Sequence, residues 1–209
     1  MAMWLQILVC VLAGYLLGNL NGSVCISALM HDDVRSHGSG NAGLTNFIRN
    51  YGAGRSLLVI LIDAGKAVVA CLVGGMILGP HGYWQEGLML GGVAVMLGHD
   101  FPALLGFRGG KGILSGLFVA ISVDWRIAVV LLAVFAIAYF LTNFVSLGSV
   151  LAAIAFGVCC LIWHSDNAFV MWSGLFISAL TVFMHKSNIV RLVKGQERKT
   201  DLFKKGKAQ

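Results

Sequence analysis

Apolar residues run along this chain in long stretches, separated by short polar clusters rich in glycine. Seven stretches stand out: Trp4–Leu29, Leu57–Leu78, Glu86–Leu105, Ile113–Val123, Ile127–Phe144, Val150–Trp163 and Ala168–Met184. A helix needs about 20 apolar residues to cross a bilayer. The pattern therefore predicts an all-α polytopic membrane protein with seven transmembrane helices, the fourth of them short. No Lys or Arg precedes the first stretch and no clear cleavage site follows it, so it reads as a span and not as a signal peptide.

Composition agrees. Of 209 residues, 58% are hydrophobic and 11% charged, where a soluble domain has about 45–50% and 25%. With no repeat, low-complexity segment or linker, residues 1–209 read as a single membrane-embedded domain, of which 186–209 form a basic tail. The five cysteines (Cys10, Cys25, Cys71, Cys159, Cys160) lie in apolar stretches and read as small buried hydrophobes. No Cys-x-x-Cys or His-Glu-x-x-His spacing occurs, so no metal or other cofactor is expected.

Charge orients the chain. An external N-terminus and seven spans leave residues 30–56, 106–112, 145–149 and the tail from His185 on the inner side. Those segments hold thirteen of the fifteen Lys and Arg residues, whereas the outer loops hold only Arg126, and Lys66 sits within the second stretch. Cytoplasmic loops retain such residues, which predicts an external N-terminus and a cytoplasmic C-terminus. The tail from Lys186 to Lys207 carries eight basic residues in 22 positions. It reads as an anchor on anionic membrane lipid; without interleaved aromatics, no nucleic-acid partner is expected.

The polar clusters all fall on the inner face. In the first, from His37 to Gly52, glycines permit close backbone approach to an oxyanion, and Ser39, Asn41, Thr45 and Asn46 supply short hydrogen bonds. Arg49 adds a planar fork suited to phosphate. The second joins Gly98-His99-Asp100-Phe101-Pro102 to Gly106-Phe107-Arg108-Gly109-Gly110-Lys111-Gly112. Consecutive N–H groups, one lysine and a following helix N-terminus favour an anion. Leu105 and Gly112 stand where a Walker A loop needs Gly and Ser or Thr, so ATP is not the expected ligand. The third, Val145-Ser146-Leu147-Gly148-Ser149, reads as a hydroxyl-bearing turn. The fourth runs from His185 through Asn188 and Arg191 to Glu197, with His185 and Asn188 on one helical face. Asp63 and Lys66, three apart in an apolar stretch, read as an ion pair supporting the site, with a direct substrate role as the alternative.

In combination these motifs resemble the bacterial integral-membrane acyl-phosphate:glycerol-3-phosphate acyltransferases over nearly the whole length. The resemblance rests on Gly38-Ser39-Gly40-Asn41 with Thr45-Asn46 and Arg49, on Asp63 with Lys66, and on Gly98-His99 with Pro102. It continues through Phe107 to Gly112, Val145 to Ser149, and His185 with Asn188, Arg191 and Glu197. Ala42, Leu44 and Arg108 depart from the family's usual proline, alanine and lysine. Gly18-Asn19-Leu20-Asn21 stands where Ser and Pro are usual.

The resemblance implies acyl transfer from acyl phosphate to the 1-hydroxyl of glycerol 3-phosphate, at a site facing the cytoplasm in the bacterial inner membrane. It implies phosphate binding by Lys111 and the Gly109, Gly110 and Gly112 loop, with Ser39 and Arg49 alongside. Asn41 joins the substrate-binding set. Thr45, Asn46, Ser149 and Asn188 are orienting groups, and Ser146 is the alternative to Ser149. His185 is a candidate base, and a substrate phosphate is the alternative. The rival class, a membrane carrier for an organic phosphate or lipid head group, favours polar groups at mid-membrane depth and inverted repeats; here the clusters lie at one face.

Overall fold

A computed structural model describes residues 2–199. Among them are ten α-helices and no strand: α1 Met3–Asn19, α2 Gly22–Leu29, α3 Leu44–Tyr51, α4 Ala53–Leu78, α5 Trp84–Asp100, α6 Ile113–Val123, α7 Trp125–Thr142, α8 Val145–Trp163, α9 Ala168–Met184 and α10 Lys186–Val193. Short 3₁₀ turns occupy Val34–Ser36, Gly79–His81 and Ala103–Leu105. Lys204, Lys205 and Lys207 of the basic tail lie outside the described residues.

The all-helical, membrane-spanning architecture read from the sequence is present. Ala53–His81, Trp84–Leu105, Trp125–Thr142 and Val145–Trp163 are each long and apolar enough to cross a bilayer. Two bent pairs, α1 with α2 (42°) and α9 with α10 (58°), bring the total to six if each counts as one span. The fourth expected span is α6, which has only 11 residues. At 1.5 Å per residue it rises about 16 Å, roughly half of a hydrocarbon core.

The first expected stretch, Trp4–Leu29, is broken at Leu20 and Asn21. Asn21 caps α2 by accepting the Val24 N–H at 3.1 Å and donates to Ala42 O at 3.0 Å. The expected turn at Val145–Ser149 is also displaced. Asn143 takes the left-handed conformation (φ 61°) that Asn tolerates, and Thr142 Oγ1 accepts the Phe144 N–H at 3.2 Å. The turn therefore falls before Val145, and Ser146 and Ser149 sit in the opening turns of α8, both buried.

The described residues form two compact units with the boundary inside α6, one running through Val119 and the other beginning at Ala120. In the first, α1, α4 and α5 pack backbone to backbone. A Cβ on Gly98 would strike the Tyr15 carbonyl, and one on Gly91 the Ala70 carbonyl. Small residues allow that approach, which membrane helices use where no hydrophobic drive separates protein from lipid. In the second unit Gly148 packs against Phe135 of α7, and Gly174 against Cys160 of α8. The abundance of glycine among the apolar residues is largely this packing.

Candidate active site

The break between α1 and α2 exposes helix ends in a region where unpaired backbone groups are costly. Asp63 and Lys66 of α4 satisfy both. Lys66 Nζ donates to Leu20 O at 2.7 Å, with Gly18 O at 3.4 Å, so a cation caps the C-terminal end of α1. Asp63 Oδ1 accepts the Gly22 N–H at 3.0 Å, so a carboxylate caps α2. The two pair at 2.8 Å and are buried, and Lys66 also reaches His99 Nδ1 at 2.7 Å. The ion pair read from the i, i+3 spacing is thus present as a support.

The loop from His37 to Gly43 is organised by Asn46. Its Oδ1 accepts the Ser39 N–H at 3.0 Å, and its Nδ2 faces the carbonyls of Val34, His37 and Asn41 at 3.0–3.1 Å. Gly38 and Gly40 adopt φ of 61° and 70° there, a region that favours glycine. Ser39 is exposed at the loop tip, Asn41 and Thr45 are half-buried, and Arg49 is exposed on α3. Beside this loop, Asp32 meets His37 Nε2 at 2.9 Å and accepts the Tyr51 hydroxyl at 2.9 Å. These hydrogen bonds hold the Asp32 carboxyl below its ordinary range. Burial, with Asp32 adjacent, raises the Tyr51 hydroxyl to about 12.

The glycine loop packs on the end of α5. The Gly110 N–H donates to His99 O at 3.1 Å, which commits one of the N–H groups expected to face a phosphate. Gly112 (φ 71°) abuts Met96 and precedes α6, and Lys111 is half-buried between Gly110 and Gly112. One residue passed over in the sequence joins the two loops. Arg35 grips Asp33 with Nε and Nη2 at 2.9–3.1 Å and sends Nη1 to Leu105 O at 3.2 Å. Tyr15 and Asn19 hold the same segment, donating to Phe101 O at 2.8 Å and accepting the Leu104 N–H at 3.0 Å respectively.

In the second unit His185 stands at the bend between α9 and α10, buried, its Nδ1 2.8 Å from Thr181 O. A carbonyl only accepts, so Nδ1 carries the proton, and in the neutral ring Nε2 has the basic lone pair. Asn188, one turn on, donates to Glu197 Oε1 at 2.8 Å, while Arg191 Nε donates to Oε2 at 2.6 Å. The left-handed turn at Gly195 (φ 66°) brings Glu197 back to them. Glu197 was visible in the sequence only as a motif position; its grip on Asn188 was not. Ser146 and Ser149 share one face of α8. Among the described residues, no group of three or more His, Cys, Asp or Glu is disposed to hold a metal ion.

The long apolar helices and their fold define an integral membrane protein. The sequence model of the glycerol-3-phosphate acyltransferase family matches residues 8–195, and the chain belongs to that family. Similar proteins include the glycerol-3-phosphate acyltransferase of Thermoanaerobacter sp. (strain X514), 36% identical over 187 residues, which cover 88% of this chain and 91% of that one. The enzyme of Anaeromyxobacter dehalogenans (strain 2CP-1) is 39% identical over 194 residues, covering 90% and 94%. Among solved structures, the glycerol 3-phosphate form of PlsY (YgiH), an integral membrane glycerol 3-phosphate acyltransferase, matches with a TM-score of 0.85 and 30% identity over 95% of this chain and 99% of that one. Its lysophosphatidic acid form matches with a TM-score of 0.82 and 29% identity, covering 94% and 96%.

Proposed function

We propose that this protein transfers a fatty acyl group from acyl phosphate to the 1-hydroxyl of glycerol 3-phosphate, giving 1-acylglycerol 3-phosphate and inorganic phosphate for phospholipid synthesis. Family membership supports the acceptor and the reaction class, and PlsY, solved with glycerol 3-phosphate and with lysophosphatidic acid, has a matching fold. The observation that carries the reading furthest is the Arg35 bridge, which holds two loops rich in anion-binding groups to one support. The donor is a mixed anhydride and already activated. The protein needs to align two anions and stabilise an oxyanion, with no acyl-enzyme.

In this scheme the hydroxyl oxygen attacks the acyl carbonyl carbon. The new ester C–O bond forms, the bond to the phosphate oxygen breaks, and phosphate leaves. Lys111 and the N–H groups of Gly109, Lys111 and Gly112 receive a phosphate; Gly110 shapes the loop. Ser39, Asn41 and Arg49 contribute beside it, with Thr45 and Asn46 setting the loop that presents them. His185 takes the hydroxyl proton through Nε2, or the substrate phosphate takes it. Ser149 and Asn188 orient the acceptor. The site faces the cytoplasm of the bacterial inner membrane, the N-terminus is external, and the basic tail rests on anionic lipid.

The test is incubation of purified, lipid-reconstituted protein with acyl phosphate and labelled glycerol 3-phosphate. Labelled 1-acylglycerol 3-phosphate and an equal amount of phosphate should form without added divalent metal and with chelator present. Efficient transfer from acyl-CoA under the same conditions would sink the assigned donor.

A further inference from the structure

The Lys66 ammonium has three hydrogens and three close acceptors: Asp63 Oδ1 at 2.8 Å, Leu20 O at 2.7 Å and His99 Nδ1 at 2.7 Å. An ammonium only donates, so Nδ1 of His99 must accept. An imidazole facing a cation at that distance is neutral, and its one proton then lies on Nε2. His99 is 4% exposed. Its Nε2 occupies the place that a Cβ on residue 110 would fill, so glycine at 110 opens the loop to the ring edge. The buried ring is thus aimed at the loop, with the Nε2 edge against Gly110.

From this juxtaposition we infer that His99 is a phosphate-binding residue: its Nε2–H donates to an oxygen of a phosphate group seated on the 109–112 loop. The inference rests on the reading that this loop holds phosphate. It also accounts for the Gly110 N–H, which is turned back to His99 O and withdrawn from the ligand. The ring supplies a donor in its stead, at the same point of the loop and without adding charge. Lys66 has a second effect. A hydrogen bond accepted at Nδ1 from a cation polarises the ring and strengthens the donor at Nε2. Asp63 and Lys66, which cap the broken helix, thereby also set the tautomer of a ligand. Both phosphate-bearing substrates carry the matching chemistry, so the probes must separate them.

The experiment is ¹⁵N nuclear magnetic resonance of histidine- and glycine-labelled full-length protein in lipid nanodiscs. Without ligand, His99 should give a protonated signal at Nε2 and an unprotonated one at Nδ1; the opposite tautomer overturns the inference. Inorganic phosphate and a phosphonate analogue of acyl phosphate are then added as donor probes, and glycerol 3-phosphate separately as the acceptor probe. A shift of the Nε2–H signal with either set supports the inference and names the source. If the Gly109 and Gly112 amides move while Nε2–H stays still, the loop reading stands and the role of His99 falls. If none of them moves with any probe, the loop reading falls and the inference with it. In kinetics, His99→Phe should raise KM for the phosphate substrate it holds by about 10- to 100-fold, the range for a hydrogen bond to a charged group. His99→Gln, which keeps an N–H donor, should recover part of that loss. An unchanged KM in folded His99→Phe overturns the inference.

Discussion

The side-chain oxygen of Asn46 accepts the backbone N–H of Ser39 across seven residues at 3.0 Å, while its amide faces three carbonyls of the same loop. Asn46 is buried and its polar atoms are engaged with the backbone and with Asn50 Nδ2, so any effect on substrate is expected to run through the position of Ser39. Asn46→Ala would leave several of those groups unpaired, each costing about 1–3 kcal/mol. We expect a lower apparent Tm and a raised KM. Asn46→Asp keeps the acceptor for the Ser39 N–H but turns a buried carboxylate oxygen onto the three carbonyls, so it should be at least as destabilising as Asn46→Ala. A normal KM and Tm in Asn46→Ala would remove the organising role.

The buried pair of Asp63 and Lys66 gives a second expectation. Removing one member of such a pair strands a charge and costs about 3–5 kcal/mol, whereas replacing both with apolar residues is often near neutral. Here the double replacement should recover only in part. Gly22 N–H loses its acceptor and Leu20 O its donor whichever apolar residues are chosen. Asp63→Leu with Lys66→Met should therefore be more stable than either single variant and less stable than wild type, in thermal unfolding of detergent-solubilised protein. Full recovery by the double variant would mean that the pair does not cap the helix break.

Much of this was readable along the chain because it is local. The apolar stretches gave the helices, Ala168–Met184 to the residue, and the i, i+3 spacing gave the Asp63–Lys66 pair. What escaped depends on groups distant in sequence. Nothing local marks His99 as the partner of Lys66, 33 residues away, or Arg35 as the tie to Leu105, 70 residues away. The stretch Trp4–Leu29 carries only scattered polar residues (Gln6, Asn19, Asn21, Ser23 and Ser27), and its break depends on Asn21 finding Ala42 O and on Lys66 finding Leu20 O. Ser146 and Ser149 looked like turn residues because small polar residues suit both turns and close helix packing; the left-handed Asn143 decided where the turn falls.

Glu197 supplies a pH dependence. Burial alone would raise its carboxyl, but the hydrogen bonds from Asn188 and Arg191 outweigh it and hold the group below the ordinary glutamate range. A lowered folded value means that the contribution to stability is complete above the unfolded value, about 4.3. It is lost as pH falls through the folded value. The stability difference between wild type and Glu197→Gln should therefore be constant from neutral pH down to roughly pH 5 and shrink below that. A difference that persists undiminished at the acid end would assign the effect to packing and not to charge.

Lys111 and His185 are separated by which kinetic constant each controls. If Lys111 clamps a phosphate, its charge acts on ground and transition states alike, so Lys111→Gln should raise KM along with any loss of turnover. His185 directs Nδ1–H to Thr181 O, which leaves Nε2 as the acceptor that a base requires. His185→Ala should then lower kcat with comparatively little change in glycerol 3-phosphate binding. Positioned acid–base groups contribute about 10²–10⁴-fold, which sets the expected loss. His185 also sits at the bend into α10, so folding must be checked independently by thermal unfolding and by the integrity of the Asn188–Glu197 contact. A folded His185→Ala variant with near-normal kcat excludes the base role, and proton transfer to a substrate phosphate then becomes the mechanism.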